Sequence, residues 1–236
     1  MQERYLGDSH DFLKYALLRH LSKSLELRIG VNWYLTTPDQ VDRPGNNDGE
    51  KRHHLKGGVW RDADAELFEK IGKFDRVADR KLSNVAKWEI LPPDTCYFAA
   101  HVPADDRESW HQKAMAELQP ADLIFLDPDN GFEVNSMTAR TRPKYSLFSE
   151  AADYVAAGKS VVAIQFARQC DPIQRAVDIR DKLVSFVGVT AENPVIRGRV
   201  APNIVFFSIV PDALRTQWRH ALLDFELKCH KAEMIN

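Results

Sequence analysis

The sequence predicts a doubly wound α/β fold, with a mainly parallel sheet and a C-terminal antiparallel hairpin. Three observations carry that expectation. From Thr95 onward, strand-like runs alternate with helix-like segments long enough to cross over, which is the rhythm of parallel sheets. The last two strand-like runs, "VGVTAENPVIRG" and "NIVFFSIVP", lie close enough to pair with each other. Hydrophobic residues make up 44% of the 236 positions against 28% charged, enough to bury a core and too apolar for a disordered chain. Residues 1–236 read as one domain, with a polar insertion at about 36–58.

Each element has its own signal. In "HDFLKYALLRHLSKSLE", Phe12, Leu13, Ala16, Leu17 and Leu21 share one helical face, and Asp8 or Ser9 is placed to cap it. "LRIGVNWYL" alternates Ile29, Val31, Trp33 and Leu35 against Gly30, Asn32 and Tyr34, a strand pattern. The polar stretch Thr36 to Gly58 is too long for a routine connection and reads as a functional or disordered loop. Helical segments are expected around Ala63 to Gly72 and Asp75 to Ala86. Then come strand "TCYFAAHV", helix "DDRESWHQKAMAEL", strand "DLIFLDP" and helix "SLFSEAADYVAAG", closed by Gly158. Strand "SVVAIQFAR", helix "PIQRAVDIRDKLVSF" opened by Pro172, the hairpin and a last helix from about Asp212 to Cys229 complete the chain.

Composition narrows function little. A net charge of −2 neither favours nor opposes a polyanionic partner. The three cysteines, Cys96, Cys170 and Cys229, form no CxxC pair, and their sparse, odd number suits a reducing cytoplasm. The amino-terminal residues carry no apolar h-region, and no run approaches a membrane span. Dinucleotide, P-loop, zinc-protease and α/β-hydrolase signatures are missing.

In doubly wound sheets ligands bind beyond the carboxyl ends of the strands. That rule places Thr36 to Asp48, His101, Asp127 to Glu133 and Gln165 to Gln169 on one rim. "ADLIFLDPDNGFE" ends its strand on Asp127, Asp129, Asn130 and Glu133. A carboxylate there can activate water, take a proton or hold a metal, and an Asn amide can read a base or a hydroxyl. Gly131 permits a close backbone approach to a ligand. The plain alternative is a solvated turn. "GNNDGEKRHH" offers Asn46, Asn47 and Asp48 as substrate-reading residues, with Arg52, His53, His54 and Lys56 for phosphates, or else is a polar loop. A metal site on both adjacent histidines is disfavoured, and solvated rings are expected. "GDSHDFLK" crowds Asp8, His10, Asp11 and Lys14 at a helix start, where Asp11 and Lys14 at i,i+3 either pair on the surface or serve a site. "ARTRPKYS" sets Arg140, Arg142, Lys144 and Tyr145 beside the Asp127 loop, a pattern suited to phosphates and stacked bases, and Arg168 points to the same rim.

Two of these segments resemble one family. "GDSHDFLK", through Gly7, Asp11, Leu13 and Lys14, is similar to the opening motif of the bacterial large-subunit ribosomal-RNA adenine-N6 methyltransferases. "LIFLDPDNGFE" is similar to their strand and Asp-Pro-Pro-Tyr-Glu motif. The resemblance implies a Rossmann-like, methyltransferase-type fold. Both functional parts of the family's pattern depart here. The first strand runs into "VNWYLTTPDQVDRPGNNDG" in place of a Gly-rich turn for S-adenosylmethionine, and the second Pro and the Tyr of the base-gripping motif are Asp129 and Asn130. The Asp-Pro pair also resembles the Gly-Gln-Asp-Pro motif of uracil-type DNA glycosylases.

The expectation is a nucleic-acid base-directed hydrolase of the N-glycosylase kind, removing a modified base from DNA or RNA without a cofactor or a metal. Asp127, Asp129 and Asn130 are its candidate catalytic residues. Asp127 or Asp129 would position water, while Asn130, Asn46, Asn47 and Asp48 would read the base. Lys14, Asp11, Arg140, Arg142, Lys144, Tyr145 and Arg168 would bind substrate. The first alternative is an S-adenosylmethionine-dependent methyltransferase using Asp39 and Asp127. The second is a Mg-dependent nuclease using Asp127, Asp129 and Glu133. The third is a binding module that has kept only the fold.

Overall fold

The computed structural model describes residues 1–42, 51–188 and 194–235. The strands are β1 (Ile29–Asn32), β2 (Cys96–Phe98), β3 (Leu123–Leu126), β4 (Gly131–Phe132), β5 (Tyr145–Ser146), β6 (Ser160–Ala167), β7 (Val195–Gly198), β8 (Asn203–Ile209) and β9 (Ala232–Ile235). The helices are α1 (Ser9–Leu25), α2 (Pro38–Val41), α3 (Val59–Ala63), α4 (Ala65–Ile71), α5 (Leu82–Lys87), α6 (Arg107–Glu117), α7 (Phe148–Ala156), α8 (Pro172–Val187) and α9 (Arg215–Lys228).

Seven strands form one sheet in the order β2-β1-β3-β6-β8-β7-β9. β2, β1, β3 and β6 pair in parallel, while β8 is antiparallel to both β6 and β7, and β9 to β7. β4 and β5 pair separately as a two-stranded sheet beside the carboxyl end of β3. The architecture is the Rossmann-like, doubly wound fold with antiparallel C-terminal strands that the sequence predicts. No helix among the described residues is long and apolar enough to cross a membrane.

The pleat explains the double winding. Successive side chains of a strand face opposite ways, and in β3 both faces are apolar. Leu123 and Phe125 join a core with α1, α4, α5 and α9, whereas Ile124 and Leu126 join a core with α6, α7 and α8. All four are fully buried. In α1 the expected face is buried, and so are His10, Asp11, Lys14, Tyr15 and Leu18 around the same helix. The amino-terminal half of α1 is therefore enclosed on nearly all sides, which hydrophobic periodicity does not reveal.

Three expectations change in detail. The insertion carries α2 and a 3-10 turn at His53–Lys56. The expected helix at Asp75 to Ala86 breaks into 3-10 turns before α5, with Arg80 bonding the carbonyls of Arg4, Phe74 and Asp75. The C-terminal hairpin is not terminal, because β9 adds to β7 with Ile196 opposite Met234. β9 is short and is held by its distant partner rather than by a local pattern.

Candidate functional site

A cavity of about 550 Å³ opens beyond the carboxyl ends of β3 and β6. It is walled by the first turns of α1, by residues 127–130 after β3, by residues 166–170 at the end of β6 and beyond it, and by the start of β8. This is the rim expected of a doubly wound sheet.

α1 builds the first wall. Asp8 caps it, accepting from the backbone N–H of His10 (2.8 Å) and Asp11 (3.0 Å). Gly7 precedes the cap at φ +81°, and a Cβ there would lie 2.4 Å from Phe74 Cβ, so only glycine fits. The Gly7 N–H donates to Asp11 Oδ2 at 2.9 Å. One helical turn on, Lys14 Nζ donates to Asp11 Oδ1 at 3.0 Å and stands 2.8 Å from Asp127 Oδ1. Of the two roles left open for Asp11 and Lys14, the surface pair is excluded: with Asp127 they form a buried triad, with exposures of 2%, 4% and 1% for Asp11, Lys14 and Asp127.

Asp127 is the unusual member. Its Oδ1 is ion-paired with Lys14 Nζ, and its Oδ2 has no hydrogen-bond donor among the described residues. A buried carboxylate oxygen without a donor is costly. Its backbone N–H is anchored to Asn32 O at the end of β1, which fixes the main chain where the side chain meets the cavity.

Two carboxylates, Asp11 and Asp127, share one ammonium. Burial pushes Asp11 up to about 6, with Asp8 and Asp127 adding to the rise and Lys14 opposing it. For Lys14, burial works against its charge, but Asp127, Asp11 and Asp8 outweigh burial and keep it firmly protonated. Asp8 is also pushed up by burial, yet the hydrogen bond and charge of His10 hold it below the ordinary carboxylate value. His10 Nδ1 lies 3.4 Å from Asp8 Oδ2, and Nε2 lies 2.9 Å from Pro202 O. A carbonyl only accepts, so Nε2 carries a proton. The ring packs edge-on against Phe166 at 5.2 Å.

Asp129 and Asn130 part company with Asp127. Asp129 Oδ1 lies 3.1 Å from the Met1 amine, while Oδ2 accepts from the Thr36 hydroxyl (2.9 Å) and the Gln2 amide (3.2 Å). Burial raises it, but the Met1 amine, Lys144, Thr36 and Gln2 together hold it below the ordinary value. Both oxygens are thus engaged by the protein itself, although Asp129 also lines the cavity. Asn130 lines the cavity; its backbone N–H donates to Lys144 O, and its carbonyl accepts from Gln165 Nε2. Gly131, at φ +113°, serves Gln165 and not a ligand. A Cβ there would lie 2.4 Å from Gln165 Oε1 and 2.8 Å from its Cα. Gln165 in turn accepts from the Phe132 N–H. Glu133 accepts from the Phe148 N–H at the start of α7 and stands apart from the acids of the cavity.

The basic residues expected to hold a nucleic-acid backbone are used differently. Lys144 lines the cavity but pairs with Asp42 Oδ1 at 2.8 Å, and Arg140 donates to the carbonyl of Asp42. Asp42 also accepts from Arg4 and Gln2, so a single buried carboxylate gathers this outer wall. Arg142 is exposed and lies outside the cavity, as does Tyr145, whose carbonyl accepts from Arg107. Arg168 does reach the cavity, with its guanidinium 5.3 Å from the Phe166 ring. Lys14 lines the cavity but is buried between the carboxylates of Asp11 and Asp127. Asn46, Asn47 and Asp48 lie outside the described residues. Arg52 bonds the carbonyls of Leu6, Gly7 and Phe74, and His54 is buried against Ser9 and Phe12 rather than solvated.

Sequence reasoning placed Asp42, Gln165 and Phe166 on the rim but gave none of them a role. Asp42 and Gln165 act through contacts distant in sequence. The crowding of acids with His10 in "GDSHDFLK" was the one local signal for that wall.

The chain leaves β1 through two large side chains. Trp33 and Tyr34 are buried there, with Tyr34 at φ +45° and its hydroxyl donating to Glu150, itself paired with Arg107. Among the described residues no three His, Cys, Asp or Glu side chains gather as a metal site. No protein-family model matches the chain, and no curated protein matches it in sequence.

Proposed function

We propose that this chain is a nucleic-acid base-directed hydrolase that cleaves an N-glycosidic bond. One observation carries the reading: Asp127 is buried beside an open cavity, with Oδ1 held 2.8 Å from the Lys14 ammonium and Oδ2 without a hydrogen-bond donor among the described residues. A carboxylate so placed can accept a proton from water and offset positive charge growing on a sugar ring. The cavity volume is within the range of small-ligand sites and suits a nucleoside. Asn130 and Phe166 also line it, residue types suited to reading and stacking a base.

In this scheme the bond from the sugar C1′ to the base nitrogen breaks, and its electron pair leaves with the base. Water bonds to C1′ and yields a proton to Asp127. Lys14 positions Asp127. Because the segment after β1 is filled by Trp33 and Tyr34, methyl transfer is the weaker reading, and no step is assigned to S-adenosylmethionine. DNA and RNA carrying varied modified bases, incubated with the protein and examined by mass spectrometry, test the proposal. Released base that disappears in Asp127→Asn supports it. Methyl addition dependent on S-adenosylmethionine, or strand cleavage without an abasic site, refutes it.

A further inference from the structure

Resting on that reading, we infer that Lys51 holds a backbone phosphate of the nucleotide whose base enters the cavity. Pairing singles this residue out. The ammonium groups lining the cavity are those of Met1, Lys14, Lys51 and Lys144. Met1 is paired with Asp129, Lys14 with Asp11 and Asp127, and Lys144 with Asp42. Lys51 alone of these has no carboxylate partner among the described residues. Asp8, the acid at the start of α1, is occupied by the N–H groups of His10 and Asp11 and by the His10 ring. Lys51 is half-buried, so its charge has lost part of its water and gains from an anion that a ligand brings.

Position supports the same role. The Lys51 carbonyl accepts from the Ser9 N–H at 2.7 Å, which fixes residue 51 beside the first turn of α1, the turn that carries His10. His10 meets the Phe166 ring edge-on, and the exposed Arg168 guanidinium lies 5.3 Å from that ring. One wall thus runs from Lys51 through His10 and Phe166 to Arg168, and all four line the cavity. Asp127 lies on the inner wall, 1% exposed, with Oδ2 lacking a donor, and is the group that the sugar must reach. A cavity of about 550 Å³ admits a base and its sugar but not the strand. An extruded nucleotide therefore leaves its phosphates toward solvent, where half-buried Lys51 and exposed Arg168 stand. An ammonium on a flexible stem meets a phosphate there as a point charge. Lys51 touches neither C1′ nor the departing base, so it binds and does not catalyse.

The probe is a short single-stranded DNA with one tetrahydrofuran residue in place of a nucleoside, which presents the backbone whatever base the cavity prefers. Its binding to the full chain is followed by fluorescence anisotropy from about 50 to about 200 mM salt. Lys51→Met should weaken binding by about fivefold and lower the slope of log K against log salt by about 0.7, the loss of one phosphate contact on a single strand. Lys51→Arg keeps the charge and should keep the wild-type slope. An unchanged slope in Lys51→Met, or no binding of the strand by the unaltered protein, overturns the inference. An unchanged slope alongside base release by the unaltered protein sinks the inference and leaves the hydrolase standing. A lowered slope without base release from any modified strand does the reverse.

Discussion

Lys14 Nζ stands 2.8 Å from Asp127 Oδ1, and that contact fastens the first turns of α1 to the carboxyl end of β3. The same ammonium donates to Asp11, so removing it leaves two buried carboxylates facing each other. Lys14→Met should destabilise the fold by about 3–5 kcal/mol, the cost of breaking a buried ion pair from one side. Urea unfolding at pH 7 measures this, and a loss of less than about 1 kcal/mol would show that the triad is not an electrostatic unit.

Asp127 and Asp129 sit two positions apart but differ in their partners, and substitution should separate them. Asp127→Asn should lower base release by about 10²-fold or more, as loss of a general base does. Asp129→Asn keeps an acceptor for Thr36 and leaves the cavity carboxylate in place, so release should stay within about threefold while stability falls by about 1 kcal/mol. Equal losses in both variants, measured as initial rates, would dissolve the distinction.

Asp11 ties stability to pH in an unusual direction. Its folded value of about 6 lies above the ordinary 3.8, so the folded state binds the proton more tightly than the unfolded chain. Its contribution is complete below about pH 4 and is lost as pH rises through about 6, by an order of 3 kcal/mol. Asp11→Asn cannot titrate. The stability difference between variant and wild type should therefore move in the variant's favour between pH 4 and pH 7. Thermal unfolding across that range is the check, and a flat difference counts against the assignment.

His54 acts in the opposite sense. Burial, aided by the charge of Arg52, pushes it down to about 4 from 6.5, so it is neutral in the fold. Its contribution is complete above about pH 6.5 and is lost as pH falls through about 4. His54→Phe keeps the stack on Phe12 but gives up the side-chain bond to Ser9. That variant should be less stable at pH 7, yet lose less on acidification from pH 7 to pH 4. A wild-type acid slope in the variant would remove His54 from the account.

Gly131→Ala tests how the cavity loop is held. The added methyl meets both the side chain and the backbone of Gln165, and the backbone φ of +113° is strained for alanine. A cost of about 1–3 kcal/mol from the backbone alone is expected, with a further fall in base release as Asn130 shifts. Adding Gln165→Ala should not restore the protein, because the methyl still collides with the main chain at position 165. Restored stability in the double variant would mean that only the side chain matters.

The fold was legible in the sequence because its signals are local. The apolar positions of α1, the run "DLIFLDP" and the strand–helix rhythm after Thr95 each depend on neighbours a few residues away. The break at Asp75 to Ala86 was not legible, since the carbonyls that Arg80 binds are gathered only after folding. β9 escaped for a related reason: four residues carry no periodicity, and β7 defines the strand by pairing with it.

For the site, the sequence by itself determined which rim bears the acids, because an acidic segment at the end of a parallel strand reaches that rim wherever the chain winds. It also put Asp11 and Lys14 on one helical face through their spacing. Only the tertiary structure decided that Lys14 joins Asp127, that Asp129 is tied to Thr36 and Gln2, and that Lys144 is spent on Asp42. A charged side chain takes its role from whichever groups share its low-dielectric surroundings, and here those groups come from segments far apart in the chain.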